Sequence, residues 1–214
     1  MLGTTDADWR SERREAAREA ILRAASGLAR EHGLTGWTLR DLARQLGMAA
    51  PSLYSYFDSK DALFDAMFAD GNRQMAALDI PAGRDLRDAL GAGAVVFAAF
   101  CCEDPVRYQL LYQRTIPGFA PTAESWKLAQ VAYDHAMAPL KAFGLTEQAD
   151  LDLVTGVYGG LIAQQLSNEP GTDRWIRLIQ EATDMLHDHL VKRRPQLRTR
   201  RTPTTRTTKK GKST

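Results

Sequence analysis

The chain of 214 residues has 44% apolar and 25% charged side chains, the balance of a globular protein of one or two domains. No apolar run approaches the roughly 20 residues that span a bilayer, and the polar start MLGTTDADWRSERREA lacks the apolar core of a secretory signal, so a cytoplasmic protein with no membrane partner is expected. The net charge of +2 hides an asymmetry: residues 192–214 hold ten Lys and Arg and no acid, which leaves −8 on the rest.

In chain order, residues 1–10 read as a loose polar arm. From Ser11 to Gly33 the spacing of Ile21, Leu22, Ala25, Leu28 and Ala29 predicts a helix with one apolar face. A second, short helix follows. Thr38 is its expected cap, with Asp41 in the capping-box position, and Leu39, Leu42, Ala43 and Leu46 form its buried side. Gly47 ends it, and Pro51 opens a helix of about two turns over PSLYSYF. Asp58 is read as the cap of the next helix, which runs on through DALFDAMFADGNRQMAAL. Further helices are expected at 84–103, 105–114, 121–143, 147–167 and 172–192, with no strand alternation and no repeat. The segment 192–214 is too polar to fold and is expected to be a disordered basic tail. The fold class is therefore all-α.

Two short helices joined by a Gly-containing turn make a helix-turn-helix, a unit that lays its second helix in the major groove of DNA. In that second helix Leu53 and Phe57 are the inward anchors, while Ser52, Tyr54, Ser55 and Tyr56 form the outer surface. Tyrosine joins a flat apolar body to a hydroxyl that can donate to a phosphate. The charge count of residues 1–70, nine basic and eleven acidic, gives no such hint, so the case rests on local placement.

The run TLRDLARQLGMAAPSLYSYFDSKDALF resembles the DNA-binding signature of the TetR family of repressors, over roughly Glu15 to Phe68. The likeness lies in the Thr-x-Arg-Asp-Leu-Ala start, the turn glycine, Leu-Tyr-x-Tyr-Phe and Ser-Lys-Asp-x-Leu. It implies a three-helix DNA-binding unit (11–70) and a larger helical domain that dimerises and binds a small effector (71–191). It also implies a homodimer on a palindromic operator of double-stranded DNA, released by a small, largely apolar molecule. No cofactor is expected, nor a metal, since His187 and His189, two apart on a helix, do not share a face. Carried over residue by residue, it makes Thr38, Tyr54, Tyr56 and Lys60 backbone contacts, with Tyr54 also near a base edge, and Arg40 a phosphate or base contact. Ser52 lies on the same surface. Where the family pattern has a hydroxyl cap and a long polar residue, this chain has Ala49 and Ala50, whose methyls favour contact with thymine.

Candidate lining for an effector pocket is the aromatic set Phe97, Phe100, Tyr108, Tyr112, Phe119, Trp126, Tyr133 and Tyr158, with the loop from Arg114 to Pro121 as a lid. Gly156, Gly159 and Gly160 in one helix suggest a seam where a second backbone comes close, or else close packing within the chain. Cys101 and Cys102, being adjacent, read as small helical residues rather than a disulfide. No nucleophile elbow, phosphate loop or dinucleotide fingerprint points to an enzyme, and Asp150 and Asp152 read as a solvated helix start. Two rival readings remain open: an enzyme or small-molecule carrier with an incidental helix-turn-helix, and a DNA-compacting protein driven by the tail.

Overall fold

A computed structural model describes residues 6–199. Its elements are α1 (Asp6–His32), α2 (Leu39–Gln45), α3 (Ala50–Tyr54), α4 (Lys60–Ala76), α5 (Leu86–Glu103), α6 (Pro105–Tyr112), α7 (Ala123–Ala142), α8 (Gln148–Asn168) and α9 (Ile179–Arg193). Two 3-10 turns, Ile176–Leu178 and Pro195–Thr199, flank α9, and no strand occurs among the described residues. No single helix there is long and apolar enough to cross a membrane.

The chain forms two compact units. Among the described residues, one comprises 6–78 together with Ala99–His135, the other Asp79–Ala98 together with 136–199. The sequence motif ends near residue 70, but packing follows different lines: α6 and the first part of α7 belong with the N-terminal helices.

In the first unit, α1 to α4 and α6 close around Ile21, Ala25, Leu28, Leu39, Leu42, Leu53, Phe57, Leu63, Phe64, Phe68 and Leu110. Positive φ at Gly33 (73°) and Gly47 (64°) lets the chain reverse after α1 and α2, as their sequence positions predicted. Gly71 serves a different purpose. A Cβ there would meet the Leu111 side chain at 3.1 Å, so the glycine lets α4 and α6 approach. Asp104 is buried at the start of α6, where it accepts from Arg107 N at 3.0 Å and receives Arg30 of α1 through Nε and Nη2 at 3.0 and 2.8 Å. One carboxylate thus caps α6 and ties it to α1.

In the second unit, Tyr158 of α8 and Thr183 of α9 share a buried hydrogen bond of 2.7 Å. Arg87 of α5 bridges to Asp184 and Asp188 of α9 at 2.8 and 2.9 Å.

Four expectations change. The polar arm is shorter than its composition suggested, because α1 already begins at Asp6; no helix breaker lies between Asp6 and Ser11, and Arg13 stacks over Trp9 at i and i+4. Ser59, not Asp58, caps α4: its hydroxyl accepts from Ala62 N at 3.0 Å, and Asp58 stays exposed. Asp150 is not a solvated helix start, since it is fully buried against Arg193 and Arg194. For the same reason residues 192–199 are not part of a disordered tail: α9 runs to Arg193, and Leu197 is buried. Residues 200–214 of that tail lie outside the described residues.

Asp104→Ala removes a helix cap and strands Arg30, so we expect a loss of about 2–3 kcal/mol in urea denaturation. Asp104→Asn should lose less, because its amide oxygen can still accept from Arg107 N.

Candidate nucleic-acid interface

The reading head is built around a helix too short to stand alone. α3 has five residues, and its N-cap, Ala49, offers no side-chain hydrogen bond; a proline in its first turn fixes the entry instead. Leu53 and Phe57 are buried, as expected of anchors. The carbonyl end is held from α1. Arg14 Nη2 donates to Ser55 O at 2.9 Å and Arg18 Nη1 to Tyr56 O at 2.8 Å, which satisfies groups that a helix end leaves open. Both guanidiniums also lie over aromatic rings, Arg14 at 5.6 Å from the Tyr56 centroid and Arg18 at 4.4 Å from Phe57.

With the inner side so pinned, Pro51, Ser52, Tyr54 and Ser55 remain exposed, and Tyr54 keeps 46% of its surface. Ala49 is exposed and Ala50 half-buried, packed against the core. Tyr56 is half-buried beneath Arg14, so packing against α1 accounts for much of its side chain.

Thr38 is exposed and forms the predicted capping box. Its hydroxyl accepts from Asp41 N at 3.2 Å, while Asp41 Oδ2 accepts from Thr38 N at 2.9 Å. The hydroxyl proton goes to the same carboxylate, at 2.6 Å. These bonds from Thr38, and then the nearby Arg44, hold the Asp41 carboxyl below its ordinary pKa. Arg40 is exposed and has no partner among the described residues.

Lys60 is placed differently from a free surface cation. Its ammonium donates to the carbonyls of Trp37 and Thr35 and sits 4.3 Å from the Trp37 ring centroid and 5.3 Å from that of Phe64. Burial lowers its pKa, and Asp41 offsets part of that. In this conformation Lys60 clamps the start of α4 to the loop before α2.

The aromatic candidates for an effector pocket are not gathered into one site. Phe119 packs edge-on against Phe64 at 5.8 Å, and Trp126 against Phe68 at 5.6 Å, so both serve α4. The expected lid is likewise committed there: Ile116 and Phe119 pack on the N-terminal core, and Asp65 accepts from Thr122 N at 2.7 Å and from Ser125 Oγ at 2.9 Å. Phe100 lies under the Arg107 guanidinium, 3.8 Å away. Tyr108 is buried and tilted against the exposed Tyr112 at 5.7 Å, and Tyr158 is buried on Thr183. Phe97 and Tyr133 are half-buried. A surface cleft of about 430 Å³ is lined by Leu28, His32, Gly36, Trp37, Asp41, Arg44 and Gln45, none of them a pocket candidate. Gly156 and Gly160 are exposed and Gly159 half-exposed, and a Cβ at any of the three would meet nothing. Packing among the described residues therefore does not account for them.

Sequence comparison agrees with this geometry. Residues 21–67, from the middle of α1 into α4, match the model of the bacterial regulatory proteins of the tetR family. The HTH-type transcriptional regulator Rv1816 of Mycobacterium tuberculosis is 31% identical over 124 residues, 56% of this chain and 53% of that protein. The part of the chain that carries the reading head is thus similar to the DNA-binding region of the TetR family. It matches about half the length of its mycobacterial relatives. The tetracycline repressor protein class C of Escherichia coli is 46% identical over 50 residues, 23% of each chain. A TetR variant from Acinetobacter baumannii AYE, solved with minocycline, has the same fold with a TM-score of 0.54, 21% identity, and coverage of 81% of this chain and 96% of that one.

In and beside the TetR-like signature, sequence reasoning missed Arg14, Arg18 and Trp37, which shape the head from outside α2 and α3. The signal was available: positions 14 and 18 continue the line of the buried Ile21 along α1.

Because hydrogen bonds depress the Asp41 pKa on folding, the stability it contributes is present above its unfolded pKa. It is lost as pH falls through the lower folded value. We expect Thr38→Val to return the Asp41 titration, followed by NMR, to the ordinary carboxylate range and to cost about 1 kcal/mol through the lost cap. An unmoved Asp41 midpoint would count against the capping box.

Proposed function

We propose that this protein is a cytoplasmic transcriptional regulator, a repressor that binds a palindromic operator as a homodimer and leaves it when a small, largely apolar effector binds. The observation that carries the reading is the exposure of Ser52 and Tyr54 on a two-sided helix whose other side is fixed by Leu53, Phe57, Arg14 and Arg18. Rigid presentation of a few side chains is what base reading requires. In this reading residues 11–70 hold the DNA contacts, with Thr38, Arg40, Ser52, Tyr54 and Tyr56 at the surface and Ala49 and Ala50 beside thymine methyls. Lys60 meets a phosphate only by loosening its hold on Trp37. Residues 71–191 take the effector and the partner chain, and the basic residues beyond Thr199 add non-specific attraction to DNA.

The test is selection from random-sequence duplexes. A pseudo-palindromic site should be enriched, and Tyr54→Ala should lose binding to it at an unchanged melting temperature, since that side chain is exposed. Equal affinity for selected and random DNA would sink the reading and favour a compacting protein instead.

Three features support the dimer and the effector: the open glycines of α8, the exposed Met185 on α9, and a fold neighbour solved with minocycline. Gly160→Leu fills space that is empty within the chain, so the fold should survive while sedimentation shows a monomer. An intact dimer would move the seam elsewhere. A thermal-shift screen of apolar compounds should find a stabiliser that also releases the selected duplex, because only a ligand that prefers the DNA-incompetent state shifts the balance.

A further inference from the structure

The first turns of α1 are not explained by the core. Burial on this helix begins at Ile21, yet helix runs back to Asp6. At 3.6 residues per turn, Arg10, Arg14 and Arg18 line up with Ile21 along one side, Arg13 lies about 60° round the helix from Arg10, and Trp9 about 40° beyond Arg13. Glu12, Glu15 and Glu19 fall on the other side. Between Asp8 and Glu19 the helix is thus divided lengthwise by charge.

The basic side faces a known direction. Arg14 and Arg18 reach the carbonyls of Ser55 and Tyr56 at the end of the recognition helix. Arg10 stands one turn, about 6 Å, farther out along the same line. Beside it Trp9 keeps 52% of its surface, with the Arg13 guanidinium 4.9 Å above its ring. An arginine stacked on an indole is held in orientation while its donor edges stay open, the arrangement that suits a phosphate oxygen.

We propose that Trp9, Arg10 and Arg13 form a second contact with DNA, gripping backbone phosphates that flank the bases read by α3. The proposal rests on the DNA-binding reading above. Two observations select DNA as the occupant. The surface is continuous with the reading head through Arg14, which touches both Ser55 O and the Tyr56 ring. Its charge is also opposite to that of a phosphate backbone, with Arg10, Arg13, Arg14 and Arg18 on the side away from Glu12, Glu15 and Glu19. The acidic side, bearing Glu12, Glu15 and Glu19, sets the orientation by repulsion.

The experiment compares the full chain with R10Q/R13Q, which keeps helix propensity, and with R10K/R13K, which keeps charge. The probes are a selected duplex with long flanks and the same duplex trimmed to the site. On the long duplex R10Q/R13Q should bind more weakly, with a salt slope shallower by about two per chain. Its deficit against wild type should shrink about tenfold per chain, about a hundredfold for a dimer, between roughly 50 and 200 mM salt. On the trimmed duplex the two proteins should be equal, and R10K/R13K should keep the wild-type slope on both. Phosphate-ethylation interference on the wild-type complex should extend beyond the selected site, and this arm needs no variant to fold. Equal affinity and slope for R10Q/R13Q on the long duplex, with no flanking interference, would overturn the proposal. So would a change in sedimentation without a change in DNA affinity, which would make this surface a protein contact. If wild type bound no duplex selectively, the functional reading itself would fail, a separate outcome.

Discussion

A helix of five residues cannot hold its own shape, and the reading head depends on how that deficit is met. Isolated helices of this length do not persist in water, and α3 lacks even a side-chain cap at its start. Its geometry is imposed from outside, by two apolar anchors below and by two guanidiniums on its carbonyl end. The arrangement leaves the exposed side chains free of structural duty. Tyr54 is available because Arg14, Arg18, Leu53 and Phe57 do the holding.

The same logic extends to α4, which ties together α1, the loop before α2, α6 and the start of α7. At its start Lys60 grips the loop that carries Trp37. In its middle Phe64 and Phe68 meet Trp37, Phe119 and Trp126, and Asp65 receives the start of α7. Toward its end Gly71 lets α6 close in. Together with the tie from Arg30 to Asp104, these contacts make α1, α4, α6 and the loop before α7 one packed body. A shift of α6 against α4 therefore has few ways to leave the reading head untouched, since the interface is close-packed and polar groups bridge it.

Much of this was readable in advance. The helices announced themselves through apolar spacing, the turn glycines through position, and the capping box through Thr38 and Asp41. What escaped was set by contacts distant in sequence. Nothing local marks Asp65 as the acceptor for Thr122 and Ser125, or separates Phe119 and Trp126, which pack on α4, from aromatics that line a pocket. Lys60 looked like a surface cation because its partners are backbone carbonyls, which carry no sequence signature. Asp150 failed for the opposite reason: an acid beside another acid at a helix start resembles solvated surface, and its two arginines lie more than forty residues away in a stretch whose composition argued for disorder.

That last pairing also carries the folded unit into the basic segment. Asp150 is wholly buried, and its charge is balanced by Arg193 and Arg194 alone among the described residues. Both belong, by composition, to the basic segment, yet they are interior groups as far as electrostatics is concerned. A chain cut before them would leave an uncompensated carboxylate inside the second unit, a defect of about 3–5 kcal/mol, and would release α9 at its last turn. Removing positive charge and unfolding the protein become the same operation on that side of Leu197. A cut meant to test the charge of the basic segment therefore has to fall after that buried leucine.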